Sequence, residues 1–314
     1  ATIDRQVLGV DKEDRHAVYF PGVQNLEGSL YATRGIKTYP VERHETLVNK
    51  MTDRERVFHG TLSDWIDHHA STAGPRLSIV NADFEGQVNT CASEIIKLFR
   101  VFPGRVGGLL CVTTFANMDP ESVESGIVFG NAFDSILHGA VRPRLDGLYS
   151  QLRPYLDGNA HGSNDALCHA QFCRDFGILW RVLMGLTLFT SRDEGSGVLD
   201  KRAHRGLSSI VGGMYQTAGR IQMLTRERSF SFFEEPRLKP FLDRQRTPLF
   251  PLTIQRALYH SAGNNRMTTW IISFGRLRSP IAIPQVAEQL WQLYSRSPLT
   301  FVSKTGKVLY YQPR

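Results

Sequence analysis

Apolar and polar positions repeat in one unit along the first third of the chain. A short apolar run closes on Gly, Asn or an acid, and a segment of helical length follows. The runs are His16 to Phe20, closed by Pro21-Gly22, and Ile36 to Val41, closed by Glu42. Arg56 to His59 closes on Gly60-Thr61, and Leu77 to Val80 on Asn81-Ala82-Asp83-Phe84. Strand-length runs alternating with helical segments predict βαβ units and an open parallel sheet, hence an α/β fold. Gly107 to Phe115 is a continuous apolar run, which predicts a fifth strand covered on both faces. Ligands of such sheets sit outside the carboxyl ends of the strands, where the polar residues of these runs fall.

The segments between the runs carry helix signals. Ser29 to Gly35 ends on a glycine, His44 to Met51 has helical length, and Asn89 to Phe102 turns Ile95, Ile96, Leu98 and Phe99 inward. Asp64 stands three residues after Thr61, a capping-box start for a helix over Leu62 to Ala70. From Ser122 the pattern changes to three long helical segments, Ser122 to Leu156, Ala166 to Thr190 and Lys201 to Leu224. A Pro-punctuated connection, Pro236 to Pro251, leads into a hairpin of Ile254 to His260 and Met267 to Phe274. A helix over Gln285 to Ser295 and a second hairpin, Leu299 to Ser303 with Lys307 to Tyr311, complete the chain. The expected organisation is a core over 1–120, a helical insertion over 121–250, the final hairpin of the core sheet over 251–276, and a C-terminal extension over 277–314.

Composition narrows the partners. At 314 residues and 41% hydrophobic content the chain can bury a full core. No stretch reaches the ~20 apolar residues of a membrane span, and the first residues lack the apolar run of a secretion signal. Cys91 and Cys111 fall within apolar elements, so a reducing, cytoplasmic setting is expected. His161, Cys168, His169 and Cys173 invite a zinc reading, but Cys168 and Cys173 lie on an apolar helix pattern and read as core thiols; no metal is expected. The net charge of +7 favours a polyanionic partner. Basic residues from Lys201 to Arg246 interleave with Tyr215, Phe230, Phe232 and Phe233, which suits nucleic acid, with phosphates on Arg and bases on rings. A solvated helical accessory domain explains the same residues almost as well.

In order and spacing, these features resemble the class I S-adenosylmethionine-dependent methyltransferases. The resemblance implies a Rossmann-like sheet, mostly parallel, whose final hairpin runs antiparallel, with S-adenosyl-L-methionine as cofactor and methyl transfer to a nucleic acid. On the family pattern the first loop, with Phe20, Gly22, Asn25 and Gly28, meets the methionine moiety. Glu42 holds the ribose hydroxyls, and Gly60 and Thr61 flank the adenine. Asn81, Asp83 and Phe84 meet the acceptor, the polar side chains orienting it and the ring stacking on a flipped base. Asn81-Ala82-Asp83-Phe84 has the outer residues of the family's amino-methylating motif and lacks its two central prolines. Two other readings use the same pattern. A nicotinamide- or nucleotide-dependent enzyme would use the same acid after the second strand, although the three-glycine fingerprint is missing. A non-catalytic methyltransferase-like subunit would bind nucleic acid and no cofactor. At Asp83 the structural alternative is a cap for the next helix.

Overall fold

The computed structural model of the chain describes residues 15–22, 25–51, 53–84, 86, 91–103, 107–116, 164–190, 192–193, 242–260, 266–302 and 308–311. The chain divides into two compact units. The first comprises Ala1–Phe115, Leu249–Arg278 and Ser297–Gln312; the second comprises Ala116–Pro248, Ser279–Arg296 and Pro313–Arg314.

The first unit opens with β1 (His16–Tyr19), α1 (Leu26–Ala32), β2 (Lys37–Glu42), α2 (Glu45–Val48), β3 (Phe58–His59) and α3 (Leu62–Ser71). It continues through β4 (Ile79–Asp83), α4 (Ala92–Lys97) and β5 (Gly107–Phe115). β1 pairs in parallel with both β2 and β4, β2 with β3, and β4 with β5. The strand order is therefore 3-2-1-4-5, which reverses direction between β1 and β4, the switch point where doubly wound sheets bind ligands. The expected α/β class with a mostly parallel sheet is what the chain forms.

Two long strands, β7 (Gln245–His260) and β8 (Arg266–Ala282), form a hairpin, and β8 runs antiparallel along the whole of β5, from Gly107 opposite Gly275 to Phe115 opposite Met267. Both are longer than the sequence predicts, and part of the expected Pro-punctuated connection is strand. The prolines are tolerated for a positional reason. On its outer side β7 is paired at Gln245–Arg246 and again at Arg256–Leu258, and Pro248 falls between these ladders, where a missing N–H breaks no bond in either. Pro40 in β2 is similar: β3 reaches only as far back as Val41. The C-terminal hairpin, β9 (Leu299–Val302) with β10 (Val308–Tyr311), continues the same sheet, β9 lying parallel to β7.

The sheet is buried on both faces. One carries Ala17, Tyr19, Ile79 and Leu109, with Cys111 and Ile271, packed with Tyr31 of α1 and Ile36. The other carries Val18, Val80, Leu110 and Val112, all almost without exposure. On that second side Phe99, Phe102 and Phe274 meet edge to face, with centroids 5.8–5.9 Å apart, a favoured aromatic geometry. Gly107 has φ 139°, and a side chain there would collide with the backbone of Phe274. Strands β5 and β8 can approach at that point only because residue 107 is glycine.

In the second unit, α5 (Asn164–Phe189) is buried from Ile178 through Leu186, as expected of a helix apolar on all sides. α6 (Ile283–Arg296) is amphipathic, burying Val286, Ala287, Leu290, Trp291 and Tyr294 at helical spacing. The Tyr294 hydroxyl donates to buried Asp175 of α5 at 2.8 Å, which satisfies both polar groups in the interior. β6 (Arg192–Asp193) pairs with Gln245 and Arg246. Among the described residues no helix is long and apolar enough to cross a membrane.

Candidate cofactor and acceptor site

The register of the sheet sets the level of each candidate residue. Tyr19, the last residue of β1, is paired with Pro40 of β2 on one side and Asn81 of β4 on the other. Glu42 and Asp83 each lie two residues further on and end their strands. They therefore stand at one level on either side of the exit from β1, about two strand spacings or roughly 10 Å apart. Because side chains alternate along a strand, both share the face that carries Tyr19. Asp83 is exposed and Glu42 half-buried. The Glu42 Oε1 accepts the backbone N–H of His44 at 2.8 Å, and a carboxylate has further acceptor sites.

The loop after β1 is closed by the same tyrosine. Asn25 adopts a left-handed backbone, φ 46° and ψ 43°, and its N–H donates to the carbonyl of Gly22 at 2.8 Å. Its Oδ1 accepts the Tyr19 hydroxyl at 2.6 Å. A Cβ at Gly28 would collide with that hydroxyl and with the Asn25 side chain. The close approach that the family pattern reserves for a ligand at Gly28 is here taken up by the chain's own residues. Gly22 differs, because nothing lies within 4 Å of where its side chain would project. Phe20, on the opposite face, meets Phe84 edge to face at 5.4 Å, which joins the ends of β1 and β4.

The other candidates divide between holding the fold and facing outward. The Tyr31 hydroxyl is raised by burial, an effect that Asn81 of β4 opposes. Asp83 is left as the outward polar residue of β4. Thr61 and Asp64 form a full capping box: Asp64 N–H donates to Thr61 Oγ1 at 3.2 Å, and Asp64 Oδ2 accepts Thr61 N–H at 3.1 Å and its hydroxyl at 2.6 Å. These bonds hold the Asp64 carboxyl below the ordinary carboxylate range. The Thr61 hydroxyl is thus committed to starting α3, and the N–H of Gly60 ties the end of β3 to the carbonyl of Glu42 at 3.1 Å.

Sequence reasoning passed over Tyr19, Tyr31 and the hydroxyls beside Asp83. Thr113 of β5 is the registered neighbour of Asp83, and Thr269 of β8 that of Thr113. Hydroxyl residues at the carboxyl end of an otherwise apolar strand were the available signal. Among the described residues no group of three His, Cys, Asp or Glu could hold a metal ion. The side chains of Cys168 and Cys173, together with His161, lie outside the described residues, as does the basic stretch as far as Lys239; Arg244 is exposed and Arg246 half-buried. No family model matches the chain, and no curated protein sequence matches it.

Proposed function

We propose that the first unit binds S-adenosylmethionine across the carboxyl ends of β1, β2 and β4 and transfers its methyl group to a nucleic acid. One observation carries this reading: Glu42 and Asp83 flank the exit of β1 at one level and on one face, beside the open turn at Gly22. The 3-2-1-4-5 order followed by an antiparallel strand supports it, because the family resemblance implies a mostly parallel sheet with such an end.

When bound, S-adenosylmethionine supplies a methyl group on a positively charged sulfur, open to in-line attack. Glu42 accepts hydrogen bonds from the ribose hydroxyls, a role carboxylates fill at the same place in dinucleotide sites. Gly22 leaves room for the amino-acid end. Asp83 orients the acceptor, while Phe84 packs against Phe20 on the opposite face and holds the ends of β1 and β4 together. The two carboxylates also favour a cationic ligand by simple attraction. Alignment of the acceptor with the methyl carbon accounts for most of the acceleration in a displacement of this type. The net charge of +7 supports a polyanionic acceptor.

The test is calorimetric titration with S-adenosylhomocysteine, repeated on Glu42→Ala. Binding by the wild type and its weakening by about tenfold or more in the variant are expected, given the ~1.5–3 kcal/mol of hydrogen bonds to a charged group. Heat with NAD and none with S-adenosylhomocysteine would transfer the site to a nicotinamide enzyme. Retention of oligonucleotides with no cofactor heat would make the chain a non-catalytic binding subunit.

A further inference from the structure

Three arginines gather at the end of the sheet opposite the candidate cofactor site. Arg76 leads into β4 at its amino end, whereas Asp83 closes the carboxyl end. The Arg76 guanidinium donates to the Phe99 carbonyl at 3.5 Å, and the Phe99 ring meets Phe274 of β8 edge to face at 5.9 Å. Arg276 lies two residues beyond Phe274 in β8 and Arg278 two beyond that, so alternation puts both on the face of Phe274. Because β8 runs antiparallel to β5, and β5 parallel to β4, this stretch of β8 lies at the amino end of the parallel strands.

The three side chains are exposed, and they lack acids to balance them. Among the described residues the guanidiniums of Arg276 and Arg278 have no carboxylate partner. Arg100, which follows Phe99, is paired with Asp67, and Asp67 also holds Lys97 at 3.2 Å, so that carboxylate is already engaged. Partial burial, and after it repulsion from Arg276, hold the Arg76 guanidinium below its ordinary value. Like charges brought together in this way are relieved when an anion sits between them.

We propose that Arg76, Arg276 and Arg278 form a docking surface for the phosphate backbone of a nucleic acid. A guanidinium presents a planar fork of donors that matches a phosphate. Arg276 and Arg278, two residues apart on an extended strand, are separated by about 7 Å. That spacing suits successive phosphates of one strand better than it suits a single anion. The net charge of +7 draws a polyanion to the chain from a distance. Contacts of this kind fix the position of the nucleic acid and read no sequence. The inference uses no cofactor. It goes beyond the methyl-transfer reading and does not rest on it.

The experiment measures binding of a fluorescently labelled, mixed-sequence single-stranded oligonucleotide to the full chain by anisotropy, over a series of salt concentrations. Wild type should bind with an affinity that falls as salt rises. Arg76→Gln and Arg276→Gln should each weaken binding and reduce the slope of log affinity against log salt by about 0.7, the release expected for one phosphate contact on a single strand. Arg276→Lys, which keeps the charge, should keep most of the slope. Failure of wild type to bind at low salt overturns the proposal, as does an unchanged slope in both glutamine variants, shown to be folded by circular dichroism. An equal fall in Arg296→Gln, an exposed arginine of the second unit, assigns the effect to net charge and overturns it too. So does displacement of the oligonucleotide by inorganic phosphate at a matched concentration of phosphate groups, which would mark a pocket for a single anion. Calorimetric heat with S-adenosylhomocysteine should be the same in Arg276→Gln as in wild type, so failure of the surface and failure of the methyl-transfer reading are told apart.

Discussion

The Tyr19 hydroxyl, at the carboxyl end of β1, donates to the Asn25 side-chain oxygen at 2.6 Å and so holds α1 over the mouth of the strand. The bond occupies the space beside Gly28. A methyl group there must displace a buried tyrosine or break the turn. Gly28→Ala is expected to cost about 1–3 kcal/mol, the range for overpacking a filled site. Urea unfolding followed by circular dichroism would measure it. Gly22→Ala, facing open space, should leave stability close to wild type in the same assay.

The Thr61–Asp64 box gives a stability prediction with a defined pH window. Thr61→Ala should cost about 1 kcal/mol, the usual worth of an N-cap side chain. The Asp64 carboxyl is held below its ordinary 3.8 by Thr61. A depressed carboxyl contributes stability above its unfolded value and loses it as pH falls through the folded one. The difference in melting temperature between wild type and Thr61→Ala should therefore be constant above about pH 5 and shrink below about pH 4. A gap that persists unchanged at pH 3 would show that the carboxyl plays no part.

Burial at the other end of the pH scale predicts inertness. The Cys111 thiol, pushed up to about 12, is protonated at pH 8 and should not react with a thiol reagent until the protein is unfolded. Tyr31 is raised in the same environment, so its contribution is complete below its unfolded value near 10 and is lost as pH rises through the folded one. Alkaline melting of wild type against Tyr31→Phe would detect this, the two curves changing their separation only above about pH 10.

Gly107 supplies a test of the sheet itself. Gly107→Ala brings a side chain against the Phe274 carbonyl in a backbone region that L-residues avoid. A loss on the order of 3 kcal/mol is expected, combining strain with overpacking. An alanine variant of wild-type stability would mean that β5 and β8 do not approach as described.

Much of the sheet was legible because apolar runs alternate with helical segments, although β4 runs on through Asn81 to Asp83, past the end expected at Val80. Gly107 to Phe115 was bounded correctly from its apolar run, and the Thr61–Asp64 spacing named a cap that forms. The lengths of β7 and β8 were not legible. Pro248 and Pro251 read as breaks, and at Pro248 the gap between the two outer ladders is what makes the residue compatible with a strand. The site was legible in part: Glu42 and Asp83 were found as strand-end acids, but the commitment of Gly28 to Tyr19 and Asn25 was not.

By itself the sequence determined the parallel βαβ units and the polar character of the ends of their strands. These depend on local periodicity and on residues such as Gly and Asp, whose effects reach only a few positions. The tertiary structure alone decided the order in which the strands lie and which polar side chains the protein uses for its own packing. Thr113, Thr269 and Tyr259 come within bonding reach only through pairing across up to 156 positions of sequence, a relation set by burial of the whole sheet that no local pattern encodes.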